Sequence, residues 1–232
     1  MKSYPRHCHK GKNYSKIGMR YMDFLVAVFS AVIGAFLAGL VGFFSARHIR
    51  KDETESHKNI LYIEIEDIAK DSKEVMEMLY DAYCLSFCAN KFGWEDYATY
   101  ILLPAPVHGY YLQEMSIVCF PQLTFGQRKG LKALAFNLEE QEQMINDMRS
   151  HRQFSSISLG NMISTIRTLG VIYHNATLLA EYKERYKIDN YSPEQMNQRT
   201  KLSHKFEFND FPTIMDKGQE VYEREKKLLN DL

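Results

Sequence analysis

Four sets of side chains in this chain have the types and spacing that chemistry requires. His7-Cys8-His9 offers nitrogen and sulfur donors that suit zinc or copper, but three adjacent ligands cannot all reach one ion, so the run reads as a cluster without a metal. Cys84 and Cys88 stand one helical turn apart, a spacing open to metal binding or redox response. On the apolar stripe of a helix the same pair is two small buried hydrophobes, and that is the expectation here. Glu139, Glu140, Glu142 and Asp147 share one helix, but no second helix supplies the Glu-x-x-His that a di-iron site needs. They are expected to form a solvated acidic face. Arg167 and His174 lie seven residues apart, which puts a cation and an imidazole on one helix face. No phosphate-binding loop, zinc-protease motif, nucleophile elbow or kinase signature occurs, and neither a metal nor a cofactor is expected.

The element with the clearest reading lies upstream of most of these residues. Phe24 to Phe44 is twenty-one residues without a charge, and a lipid hydrocarbon core needs about 20 apolar residues in helical form. The chain is therefore expected to carry a basic tail over 1–22, a transmembrane helix over 23–46 and a helical soluble domain over 47–232. A cleaved signal peptide fits less well, because the apolar core is about twice the usual length and no small-x-small site ends it. The span also sorts its side chains. At about 100° per residue, Ala27, Ala31, Gly34, Ala35, Ala38, Gly39 and Gly42 fall on one half with Ser30, Ser45 and Ala46. Leu25, Val26, Phe29, Val32, Ile33, Phe36, Leu37, Leu40, Phe43 and Phe44 fill the other, while Phe24, Val28 and Val41 intrude on the small half. A lipid-facing helix gains nothing from a small face, whereas a helix packing on another helix does. Membrane lipid and a second copy of the span are thus the expected partners.

Orientation draws on opposing signals. The tail carries Lys2, Arg6, Lys10, Lys12, Lys16 and Arg20, against Arg47, Arg50, Lys51 and Lys58 after the span. A literal count places the tail inside. Met19 and Met22 are alternative starts that would remove most or all of that tail, and Arg47-His48-Ile49-Arg50-Lys51 sits at the membrane edge. Three thiols without evident pairing also suit a reducing compartment. A cytoplasmic soluble domain is the expectation. The 29 basic and 29 acidic residues balance, so no global field attracts nucleic acid and direct nucleic-acid binding is not expected.

The soluble part reads as helices. Leu61, Ile65, Ile68, Ser72, Val75, Leu79 and Ala82 recur at steps of four and three, opposite Glu64, Asp67, Lys70, Asp71, Lys73, Glu74 and Glu77. No Pro or Gly interrupts the chain after Phe43 until Gly93, so span and helix are expected to run on as a stalk. Residues 92–122, rich in aromatics and punctuated by Gly93, Pro104, Pro106, Gly109 and Pro121, predict an irregular connection with a short helix near Tyr111–Val118. Further helices are predicted over about 126–148, 155–186, 192–203 and 213–229, the fourth opened by the capping box Ser192-Pro193-Glu194-Gln195. The sequence Glu181-Tyr182-Lys183-Glu184-Arg185-Tyr186 reads as solvated surface. The aromatics at 92–120 and 206–211 are expected to cap the bundle, the alternative being a partner or membrane surface. With no strand pattern, the fold class is all-α: one transmembrane helix followed by an antiparallel helical bundle.

Two resemblances bear on function. The Arg167…His174 spacing resembles that of HEPN-type ribonucleases, which are helical bundles. That resemblance implies Arg167 as a phosphate holder and His174 as the general acid–base, although Thr168 stands where that family prefers a more polar residue. The Gly/Ala-rich span, its basic edge at Arg47–Lys51 and the helix opening Ile60-Leu61-Tyr62-Ile63-Glu64-Ile65-Glu66-Asp67-Ile68 resemble the small membrane-anchored helical effectors of bacterial anti-phage defence, in particular those encoded with a retron reverse transcriptase. This implies a non-enzymatic effector in the bacterial inner membrane. It would be held by a reverse transcriptase with its RNA–DNA product, and once released would self-associate through the span and disrupt the membrane. A membrane-tethered scaffold or receptor without toxic activity, and a tethered HEPN-like ribonuclease, are the alternatives.

Overall fold

The helix that dominates the chain follows from an unbroken run of residues that tolerate helix, with no Pro at all and no Gly between Gly42 and Gly93. In a computed structural model, which describes residues 13–93, 102–150, 159–187, 195 and 206–230, α1 runs Asn13–Phe92. Its end is set by Gly93, at φ +65°, whose N–H donates to the Ala89 carbonyl at 2.8 Å. Only glycine enters this left-handed region without steric cost, so the helix stops there. Four more helices follow: α2 (Leu112–Cys119), α3 (Phe125–Ser150), α4 (Leu159–Tyr182) and α5 (Phe211–Asn230). Single 3-10 turns occupy Phe120–Gln122 and Lys183–Arg185. Among the described residues there is no strand, and the fold is all-α.

The chain divides into two compact units, Met1–Glu55 and Ser56–Leu232. This division is distinct from the expected end of the apolar span at residue 46. Every described side chain from Val26 to Glu53 is exposed, so the basic edge at 47–51 contributes nothing to a core. Within that unit α1 is a candidate membrane span by length and composition.

In the second unit the stripe predicted from Leu61 to Ala82 is buried throughout, and Leu61, Ile65, Ile68 and Leu79 are almost wholly removed from water. Inward positions on α3 (Leu131, Leu134, Leu138, Ile145, Met148) and α4 (Met162, Ile166, Leu169, Ala176, Leu179) complete one continuous core. The start of α3 is a reciprocal capping box. Gln127 N–H donates to Thr124 Oγ1 at 3.3 Å, and Thr124 N–H donates to Gln127 Oε1 at 2.7 Å. The same Gln127 reaches α1, its Nε2 donating to Tyr62 Oη at 2.6 Å.

Directions follow from these pairings. Thr165 of α4 meets Met144 of α3, while Gly130 of α3 meets Leu179 of α4, so this pair is antiparallel. Cys88 faces Met215 and Asp81 faces Arg224, so α1 and α5 are antiparallel too. By contrast α1 and α3 run the same way, Tyr62 beside Gln127 and Ile68 beside the Gly109–Leu138 contact. The connection between them makes this possible. Its residues 102–111 return along the bundle, and Gln141 holds them: Nε2 donates to the Val107 carbonyl at 2.7 Å and Oε1 accepts from its N–H at 3.3 Å.

One expectation changes. The run ending in Tyr186 is not all solvated surface. Lys183 turns left-handed at φ +45°, and Tyr186 is buried against α3. A Cβ on Gly130 would sit 2.7 Å from the Tyr186 ring and one on Gly126 2.5 Å from its carbonyl oxygen, so both glycines are required by this approach. The stretch predicted as helix at 155–186 is described only from Leu159. The helix predicted over 192–203 lies outside the described residues, apart from Gln195.

Candidate functional site

The small face of the first unit is open. A Cβ added at Gly34, Gly39 or Gly42 would meet nothing within 4 Å, and Ala27, Ala31, Ala35 and Ala38 are likewise exposed. On the other half of the same helix Phe29, Phe36, Phe43 and Phe44 are exposed as well. An apolar helix solvated on all sides costs about 25 cal/mol per Å² left in water, so this surface requires lipid, another helix, or both. At the following basic edge His48 Nδ1 lies 2.9 Å from Asp52 Oδ2, both groups exposed.

The predicted chemical pairs take up mainly structural places. Cys84 and Cys88 are buried where α1 meets α5. A Cβ at Gly218 of α5 would lie 2.7 Å from the Cys84 carbonyl oxygen and would also collide with Cys88 Sγ. Cys88 Sγ approaches the Met215 carbonyl at 3.7 Å. Burial pushes the Cys84 thiol up to about 12 and raises Cys88 and Cys119 in the same direction. With its ionisation raised this far, the free Cys84 thiol is almost wholly protonated at neutral pH. Nearby, Tyr80 Oη donates to the Glu207 carbonyl at 3.0 Å and accepts from the Glu207 N–H at 3.3 Å. Its own ionisation is pushed up by burial. Phe206 and Phe208 close over Tyr80 and Tyr83, as a cap should.

Arg167 is exposed, while His174 is half-buried with Nε2 shielded from solvent. Glu142 lies 4.0 Å from His108 Nδ1, a contact the spacing of the acidic residues did not foreshadow. The pair lines a hollow of about 270 Å³ with Tyr110 and Glu139. It contains an acid–base pair, and Tyr110 is its sole hydroxyl. His7-Cys8-His9 lies outside the described residues. Among the described residues no three His, Cys, Asp or Glu side chains converge to hold a metal ion.

A groove of about 660 Å³ opens between α2 and α3. It exists because α2 is only eight residues long and docks through Leu112 and Cys119, leaving Ile117 and Val118 outward. Leu123 and Leu131 form its buried floor, while Phe120 and Phe125 stand exposed along it. The Arg128 guanidinium lies 4.8 Å from the Phe120 ring centroid and Lys129 Nζ 5.0 Å from that of Phe125, both within cation–π range. The aromatics at 110–120 therefore do not cap the bundle as those at 206–208 do. The contribution of Arg128, Lys129 and Lys132 was signalled only by their i, i+1, i+4 spacing at the start of a helix.

No family model, curated protein or solved structure matches this chain.

Proposed function

We propose that this protein is a single-pass membrane effector that acts by self-association of its span, with the helical unit as the part that a partner holds or releases. The observation that carries the reading is the sorted span. Gly34, Gly39 and Gly42 share an open face with four alanines, and the aromatics and branched residues lie opposite, Phe24, Val28 and Val41 excepted. Small faces let helix backbones approach closely in lipid. With Ser30 and Ser45 as the only polar side chains from Phe24 to Ala46, that stretch lines a water path poorly, so disturbance of the bilayer by a bundle is favoured over a conducting pore. Burial of the thiols gives the reading further support over an enzymatic one. The resemblance to defence effectors implies the bacterial inner membrane as the site of action and a reverse transcriptase with its RNA–DNA product as the partner.

Induced expression in bacteria, followed with a membrane-potential dye, tests this. Depolarisation is expected, and Gly34→Leu with Gly42→Leu is expected to abolish it without loss of membrane insertion. Cells that arrest with the potential intact would overturn the mechanism. Arrest that persists in the double variant but disappears in His174→Ala would instead favour the ribonuclease reading. Co-expression of the partner is expected to restore the potential.

A further inference from the structure

We infer that the α2–α3 groove is a docking surface for anionic lipid headgroups. The inference rests on the reading of the chain as membrane-anchored. Two observations carry it. First, α3 presents exposed aromatic and basic side chains together, away from the inward set ending at Met148: Phe125 is 68% and Phe136 65% exposed, with Arg128, Lys129 and Lys132 between them. Aromatics interleaved with Lys and Arg are the composition of an interfacial helix face.

Second, the apolar side chains across the groove are equally outward: Ile117 is 67% exposed and Phe120 53%. Aromatic side chains with a polar or cationic neighbour prefer the level of the lipid headgroups, where the ring is desolvated and the charge stays wet. The charge on this face is net basic. Arg128, Lys129 and Lys132 stand against Glu139, with Glu114 exposed on α2. An anionic headgroup supplies the complement, and a zwitterionic one does not.

The full chain reconstituted in lipid nanodiscs provides the test, read by hydrogen–deuterium exchange over residues 112–132. In discs containing phosphatidylglycerol, exchange there is expected to be about tenfold slower than in pure phosphatidylcholine discs, since each basic residue at an anionic surface contributes about fivefold in affinity. Arg128→Gln with Lys129→Gln and Lys132→Gln, all on the surface, is expected to erase that difference while exchange in α1 and α4 stays unchanged. Equal exchange in the two disc types, in chain that has incorporated, overturns the docking surface and leaves the anchor standing. Protection that depends on the number of chains per disc and not on lipid charge also overturns it, and assigns the groove to a second copy. A chain that fails to enter discs overturns both readings.

Discussion

Replacing Gln141 by Leu tests whether one side chain holds the returning connection in place. Val107 is buried and lies in a stretch without helix or strand, so its backbone N–H and C=O have no ladder to join. Gln141, fully buried, satisfies both. Leucine fills nearly the same volume but bonds neither group. Each orphaned group costs about 1–3 kcal/mol, and the extra apolar surface buried returns part of that, leaving about 3 kcal/mol. For a cooperative unit the size of Ser56–Leu232 this lowers Tm by roughly 6–12 °C. The assay is a thermal melt of the full chain in detergent by far-ultraviolet circular dichroism, with Gln143→Leu, at an exposed position on the same helix, as the comparator. A fall of less than about 2 °C, or one equal to that of Gln143→Leu, would refute the reasoning that the connection depends on these two bonds. A loss confined to amide protection at 102–111, with Tm unchanged, would show that the connection is not part of the cooperative unit.

Gly218→Ala is expected to destabilise by about 1–2 kcal/mol despite alanine's better helix propensity, because its Cβ meets the Cys84 backbone; a raised Tm would deny the close α1–α5 crossing. Stability is expected to fall as pH rises from about 9 to about 12, since the unfolded Cys84 ionises first and the folded thiol must stay protonated. The slope from this one group is at most about 1.4 kcal/mol per pH unit, and Cys84→Ala should flatten the alkaline limb in urea titrations. A C-terminal green fluorescent protein fusion is expected to fluoresce in bacteria and an alkaline phosphatase fusion to be inactive, because the Arg47–Lys51 edge favours a cytoplasmic helical unit; the opposite pair of results would reverse the topology.

The helices were legible because their signal is local. A stripe such as Leu61, Ile65, Ile68, Ser72 and Val75 fixes its own buried face whatever lies opposite. Even the box at Thr124 and Gln127 has the same spacing as Ser192 and Gln195, and it is visible without a structure. What the pattern cannot carry is the partner of a polar residue. Gln141 looks like one more solvent-facing amide until the connection at 102–111 folds back onto it. Tyr186 likewise ends a charged run and becomes core only because Lys183 turns left-handed and Gly130 leaves room. The groove was hidden for the same reason. Phe125 and Phe136 count as apolar positions on any helix wheel, and only the short reach of α2 decides that they stay in water.

Both surfaces left open have the same physical character. The span presents glycines and alanines backed by phenylalanines; the groove presents phenylalanines and isoleucine edged by Arg128, Lys129 and Lys132. One suits the hydrocarbon interior and the other its anionic boundary. Under the proposed lipid docking, a partner that covers the groove would compete with lipid for it. Charge-neutral substitutions at Arg128, Lys129 and Lys132 are then expected to weaken toxicity, read as growth arrest after induction, even in the absence of the partner.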